Sequence, residues 1–221
     1  MATYLVTGTN RGIGLEYCRQ IKGRGDQAIA VCRSSSEELE TLGIQVETGV
    51  DITSEESVNA LAKKLKDTPI DVLVNNAAIV ERISLDNLDF ESMRKQFEVN
   101  ALGTLRFTEA LLPNLREGSK VIIMTSRMGS IDDNTSGGSY GYRMSKVAVS
   151  MAGKSLSVDL KPRGIAVGIL HPGLVKTRMT NFTQNGITTE ESVNGLLKRI
   201  DGLNLENTGT FWHAKGEVLP W

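Results

Sequence analysis

At 221 residues, 40% hydrophobic and 23% charged, the chain has the length of one large α/β domain and an ordinary soluble globular composition. Twenty-five basic against 26 acidic residues leave a net charge of −1, without the clustered basic excess of a nucleic-acid surface. No apolar run approaches the roughly 18 to 20 residues that span a bilayer, no secretory signal pattern opens the chain, and two cysteines are too few for a disulfide framework. These features predict a cytoplasmic protein without nucleic-acid or membrane partners, its thiols Cys18 and Cys32 reduced and packed against a sheet. A redox role for Cys32 is the minor alternative.

The elements follow in alternation. Tyr4–Thr7 reads as a strand that opens into a glycine-rich turn, with a helix from about Gly12. A strand at Ala28–Cys32, a polar helix near Ser36–Leu42 and a strand at Gln45–Val50 come next. Thr53 and Glu56 have capping-box spacing, which places a helix start there, running to about Leu65. Asp71–Val74 is an apolar strand, and Phe90, Met93, Phe97, Ala101 and Leu105 recur at helical spacing within a long helix over Phe90–Leu115. The second half repeats the pattern. A strand at Val121–Met124, a Gly/Ser/Asp/Asn-rich loop at Arg127–Gly141 and a helix over Tyr142–Leu160 lead to a strand at Ile165–Leu170. Thr188 with Glu191 caps a last helix to about Ile200, and a strand lies near Gly209–Trp212. Continuous apolar strands alternating with helices predict a single doubly wound, Rossmann-type α/β domain over residues 1–221, with a mostly parallel, seven-stranded sheet covered on both faces. Ligands in such a fold bind at the carboxyl ends of the strands.

Three motifs carry chemistry. In Thr7-Gly8-Thr9-Asn10-Arg11-Gly12-Ile13-Gly14, glycines permit a tight turn, close approach to a pyrophosphate and a helix N-terminus aimed at the anion. Its spacing differs by one residue from the general dinucleotide fingerprint, and a plain strand-to-helix turn is the bland alternative. The second strand ends Val31-Cys32-Arg33, without the acid that accepts a ribose hydroxyl in NAD sites. Arg33 and Arg11 instead suit a 2'-phosphate, through planar charge-assisted hydrogen bonds, unless both are simply solvated. Tyr142 and Lys146 stand i, i+4 on one helix face, where a neighbouring cation would lower the phenol pKa. Tyr140 competes, but its i+4 partner is Met144. His171, before Pro172, reads as structural, and with His213 it gives no metal-ligand spacing.

In these motifs, taken together, the chain resembles the short-chain dehydrogenase/reductase family over essentially its whole length. Gly8–Gly14 match its glycine motif, Asp51-Ile52 its adenine contact, and Asn75-Asn76-Ala77-Ala78 its Asn-Asn-Ala-Gly segment. Asn100, Ser126, Tyr142 and Lys146 match its catalytic set, and Pro172-Gly173-Leu174-Val175-Lys176-Thr177 the segment embracing the nicotinamide end. The resemblance implies cofactor binding by Gly8, Asn10, Arg11, Gly12, Ile13, Gly14, Arg33, Asp51, Ile52, Asn76, Ala77, Tyr142, Lys146, Pro172, Gly173, Val175 and Thr177.

The same resemblance implies an NADPH-dependent reductase acting on an aldehyde, ketone or quinone. Ser126 would orient the carbonyl, Tyr142 deliver the proton, Lys146 bind the ribose and lower the tyrosine pKa, and Asn100 hold a relay water. Three features depart from the family pattern. Ala78 replaces a glycine, the Ser126-to-Tyr142 loop is about three residues longer than is common in the family, and only a short substrate lid, at about 178–190, precedes the last helix. Ser126–Ile131, Gly137-Gly138 and Leu219-Pro220-Trp221 resemble the branch of C-factor and sniffer-like carbonyl reductases. That branch brings an alternative, an NADP(H)-binding signalling or regulatory protein with little turnover; a dehydratase or epimerase is a weaker option. Family members pair as homodimers or homotetramers through helices matching Phe90–Leu115 and Tyr142–Leu160, and a monomer stays open.

Overall fold

Seven short strands, most of them apolar runs, form one sheet in the computed structural model, which describes residues 1–221. They are β1 (Thr3–Thr7), β2 (Gln27–Val31), β3 (Gln45–Glu47), β4 (Val72–Asn75), β5 (Lys120–Met124), β6 (Ala166–His171) and β7 (Phe211–His213). The order is β3-β2-β1-β4-β5-β6-β7, and every pairing is parallel. The strand order reverses between β1 and β4, and the crevice at their carboxyl ends is where this architecture places a ligand.

Alternate strand residues feed two cores. Leu5, Leu73, Val121, Ile123 and Ile169 face one layer, built with α3 (Glu55–Lys64), α5 (Gly103–Ala110) and α6 (Tyr140–Asp159). Val6, Val74, Ile122 and Leu170 face the other, with α1 (Gly12–Gly23) and α7 (Thr189–Asp201). A smaller cluster under α2 (Glu37–Glu40) buries both cysteines, and burial pushes the Cys18 thiol up to about 12 and the Cys32 thiol upward as well. Such thiols resist forming the reactive thiolate, so packing is their role here. No helix is long and apolar enough to cross a membrane.

Three elements differ from the sequence expectation. The helix placed at Thr53 starts one residue later, because Ser54 caps the Ser57 amide while Thr53 spends both its N–H and its hydroxyl on Asp51. The long helix over Phe90–Leu115 is four pieces: α4 (Phe90–Phe97), a π turn at Glu98–Leu102, α5 and a short 3-10 turn at Leu112–Asn114. Its periodic residues are not all core: Phe90, Phe97 and Leu105 are exposed, and only Ala101 of the five is fully buried. The catalytic-motif helix, α6, begins at Tyr140, so Tyr142 stands in its first turn. The box at Thr188–Glu191 forms as expected.

Candidate active site

At the end of β1 the chain turns so tightly that side chains are excluded. A Cβ on Gly14 would lie 2.1 Å from the Gly8 carbonyl oxygen, and one on Gly8 2.9 Å from the Ala77 Cα. The turn is stitched to β4, since the Asn76 and Ala77 amides donate to Thr7 Oγ1 and the Asn76 side chain donates to the Thr7 and Gly8 carbonyls. α1 then starts at Arg11 with no side-chain cap and no acid in its first turn. Its free amides, Gly12, Ile13 and Gly14 among them, and the dipole's positive end therefore suit an anion. Thr177 comes within 3.6 Å of where a Gly12 Cβ would stand, so the segment after β6 closes over the same turn. This uncapped, side-chain-free cradle fits a dinucleotide's pyrophosphate.

The flanks of the cradle are more exposed. Arg11 is open to solvent and Arg33 is 74% exposed, its nearest acid Asp51 at 4.0 Å. Burial pushes the Asp51 carboxyl up, but Thr53's amide and hydroxyl, with Arg33, prevail and hold it below the usual carboxylate range. Ile52 packs into the core and gives its carbonyl to Arg106, leaving its main-chain amide to meet a ligand. Asn10 is half-buried beside the turn.

Beyond β5 the residues expected to be catalytic converge. Ser126 leaves the strand and caps a 3-10 turn, Arg127–Gly129, accepting the Met128 amide at 3.1 Å, which leaves its own hydroxyl proton available to the Tyr142 phenol or to a ligand. That turn lies against α6, because a Cβ on Gly129 would sit 2.8 Å from the Lys146 carbonyl carbon. Glycine at 129 is thus the condition for bringing Ser126 to the helix bearing Tyr142 and Lys146. Both of those side chains are buried, with the Lys146 ammonium 5.7 Å from the centre of the Tyr142 ring. Tyr140 is half-buried at the helix start and has no lysine beside it.

The electrostatics correct one expectation. Burial pushes the Tyr142 phenol up, to about 12, and only the Ser126 hydroxyl pulls it the other way. Lys146 does not lower it here, because the ammonium is aimed at the Met124 carbonyl, 2.9 Å away, and its own pKa falls to about 8 on burial. The free site therefore holds a protonated phenol beside a lysine poised near neutrality.

Asn100 occupies the π turn. Its amide nitrogen donates to the Ile79 carbonyl and to Ser145 Oγ, and its oxygen accepts the Ile79 amide. One lone pair on that oxygen is all the side chain keeps for a relay water. Ser145 escaped the sequence reading; it is fully buried, donates to the Tyr142 carbonyl and joins Asn100 to α6. Its only sequence signal is a polar residue on the buried face between Tyr142 and Lys146.

Pro172 and Gly173 follow β6, and Val175 pairs with Ile187. The segment expected as a lid is thereby pinned at its base, which leaves 176–186 between the Val175–Ile187 pairing and the Thr188 cap of α7. His171 and His213 face each other in register with rings 5.0 Å apart; burial, more than the second imidazole, brings His171 down to about 3. No group of three metal-ligating side chains forms.

Comparison with known proteins agrees with this geometry. The family model described as short chain dehydrogenase matches residues 2–187. A Rhodococcus sp. (strain AD45) protein, 1-hydroxy-2-glutathionyl-2-methyl-3-butene dehydrogenase, is 44% identical over the full length of both chains. The C-signal protein of Myxococcus xanthus is 44% identical over 74% of this chain and all of its own. Among solved structures, the carbonyl reductase Sniffer of D. melanogaster matches with a TM-score of 0.94 at 30% identity, covering all of both chains. The NADPH-bound carbonyl reductase from chicken fatty liver gives 0.92 at 28%, over 100% of this chain and 99% of its own. The chain belongs to the short-chain dehydrogenase/reductase family of oxidoreductases, in its C-factor and sniffer-like branch.

Proposed function

We propose that the protein is an NADP(H)-dependent carbonyl reductase with Tyr142 as proton donor. The observation that carries this reading is the buried meeting of Ser126, Tyr142 and Lys146 at the end of β5, beside an uncapped glycine cradle at the end of β1. Bound NADPH supplies the hydride; the chain does the rest. Ser126 donates its free hydroxyl proton to the carbonyl oxygen and orients it where negative charge develops. Tyr142, held protonated by burial, passes its proton to that oxygen. Lys146, still largely charged at neutral pH and held in place by the Met124 carbonyl, binds the ribose hydroxyls. Asn100 holds the Ile79 segment against α6 through Ser145. Arg11 and Arg33 grip the 2'-phosphate, which agrees with the NADPH carried by the chicken carbonyl reductase. The cytoplasmic location belongs to this reading as well.

The test is NADPH consumption over a panel of aldehydes, ketones and quinones, with Tyr142→Phe as control. The likeness to C-signal favours a second reading, an NADP(H)-binding signalling protein with little turnover. Tight NADPH binding with no consumption across the panel selects it. Pairing of two copies would use the exposed Phe97 and Leu105 of α4–α5 with Met144, Met151 and Val158 of α6; sedimentation as a monomer in solution would remove it.

A further inference from the structure

α6 begins in an unusual way. Gly137, Gly138 and Ser139 are successive left-handed residues, with φ of 61°, 63° and 49°, and Ser139 caps the helix without any side-chain hydrogen bond. A non-glycine residue in that conformation is disfavoured and persists only where its surroundings hold it. What holds it is Arg143, one residue past the catalytic tyrosine. Its guanidinium donates to the Gly137 and Gly138 carbonyls at 3.2 Å each, to Ser136 Oγ at 2.9 Å and to the Met128 carbonyl at 3.3 Å. All four partners are neutral oxygens of the β5–α6 loop, gathered by one half-buried side chain.

The contact to Met128 closes a circuit. Met128 donates its amide to Ser126 Oγ, the turn carrying both packs on α6 where a Gly129 Cβ would lie 2.8 Å from the Lys146 carbonyl carbon, and Tyr142 on that helix is the covalent neighbour of Arg143. We propose that Arg143 is a positioning residue, which fixes the Ser126 hydroxyl on the Tyr142 phenol by clamping the Met128 turn and the left-handed loop to the catalytic helix. Only a forked cation does this, since the acceptors lie on both sides of the loop and a single ammonium reaches one side at a time. The inference rests on the reductase reading above.

The test is a double-mutant cycle in the full-length protein. Arg143→Met and Arg143→Lys are made in wild type and in Ser126→Ala, reading kcat, carbonyl KM and NADPH Kd. In the wild-type background Arg143→Met lowers kcat by about tenfold or more and changes NADPH Kd by less than about twofold. Arg143→Lys recovers only part of that loss. In the Ser126→Ala background the same substitution costs less than about twofold, because the hydroxyl it positions is already gone. Equal losses in both backgrounds, or full recovery with lysine, overturn the proposal. If Arg143→Met fails to fold, Arg143→Lys in the two backgrounds gives the same comparison. A wild type without turnover removes both readings; an active wild type with an equally active Arg143→Met removes this one alone.

Discussion

The two ends of the cleft use charge in opposite ways. At the reacting end, Lys146 and Tyr142 are withdrawn from water, and burial shifts both groups toward their neutral forms. At the cofactor-phosphate end, Arg33 and Arg11 stay in solvent, and the one close acid stands 4.0 Å from Arg33. Burial makes each contact at the first end strong and intolerant of change, while solvent leaves the second end weaker and adjustable. On the function proposed above, chemistry is fixed where water is excluded, and cofactor preference is set where water remains.

The largest effect is expected at the buried end. Tyr142→Phe keeps the ring and removes the acidic hydroxyl, so turnover falls by roughly two to four orders of magnitude while NADPH affinity changes far less. Near wild-type turnover in Tyr142→Phe, with loss in Tyr140→Phe, would falsify the assignment. Lys146→Met comes next: turnover and NADPH affinity both drop, yet the fold gains stability at pH 7. The sign follows from linkage. The folded lysine pKa, about 8, lies below the unfolded value of 10.5, so below pH 8 the fold carries the cost of a buried charge, relieved as pH rises toward 10.5. Removing the lysine lifts that cost, on the order of 1 to 3 kcal/mol after the lost bond to the Met124 carbonyl. Thermal unfolding of wild type and Lys146→Met at pH 7 and pH 10 checks it; the variant's advantage should shrink at the higher pH. Wild-type reduction should also decline above about pH 8, and a flat profile to pH 10 would remove Lys146 from the charged role.

Much of this arrangement is legible in the amino-acid order, because alternating apolar runs, the glycine turn and the i, i+4 spacing are local properties. The parallel, seven-stranded sheet follows from those patterns, and the gathering of Ser126, Tyr142 and Lys146 from the family resemblance, whereas the strand order is seen only in the fold. What escaped depends on contacts distant in sequence. The π turn at Glu98–Leu102 accompanies the ties of Asn100 to Ile79 and Ser145, which helical periodicity cannot register. Phe90, Phe97 and Leu105 have the spacing of a core stripe, but the side of α4 and α5 they occupy faces solvent in the single chain. Lys146 reads as a cation that lowers the phenol pKa, whereas its ammonium turns to Met124 and burial decides the shift.

Arg33→Asp sharpens the comparison from the exposed end. Wild type should prefer NADPH over NADH by about tenfold or somewhat more, since solvent and the Asp51 carboxylate both compete for the guanidinium. A carboxylate at position 33 repels the phosphate and accepts from a ribose hydroxyl, so NADPH weakens while NADH is spared or improves. Titrations of both cofactors into both proteins measure the shift. Equal wild-type affinities would remove the arginine grip and leave the catalytic assignment standing.

The smallest effect separates the two ends within one protein. Raising ionic strength from about 0.1 to 1 M shortens the Debye length from about 10 to 3 Å, which screens exposed charge pairs and leaves buried ones nearly untouched. The NADPH-over-NADH preference depends on arginines in solvent, so it should shrink by a few-fold over that range. Turnover at saturating NADPH depends on Ser126, Tyr142 and Lys146, all buried, so kcat should stay within about twofold. Sodium chloride titrations of both quantities on the same preparation provide the comparison. A kcat that falls in parallel with the preference would mean that the reacting end is as open to ions as the phosphate end, contrary to the burial of its three side chains. A preference insensitive to salt would place the selecting contacts away from Arg11 and Arg33, in a part of the cradle that solvent does not reach.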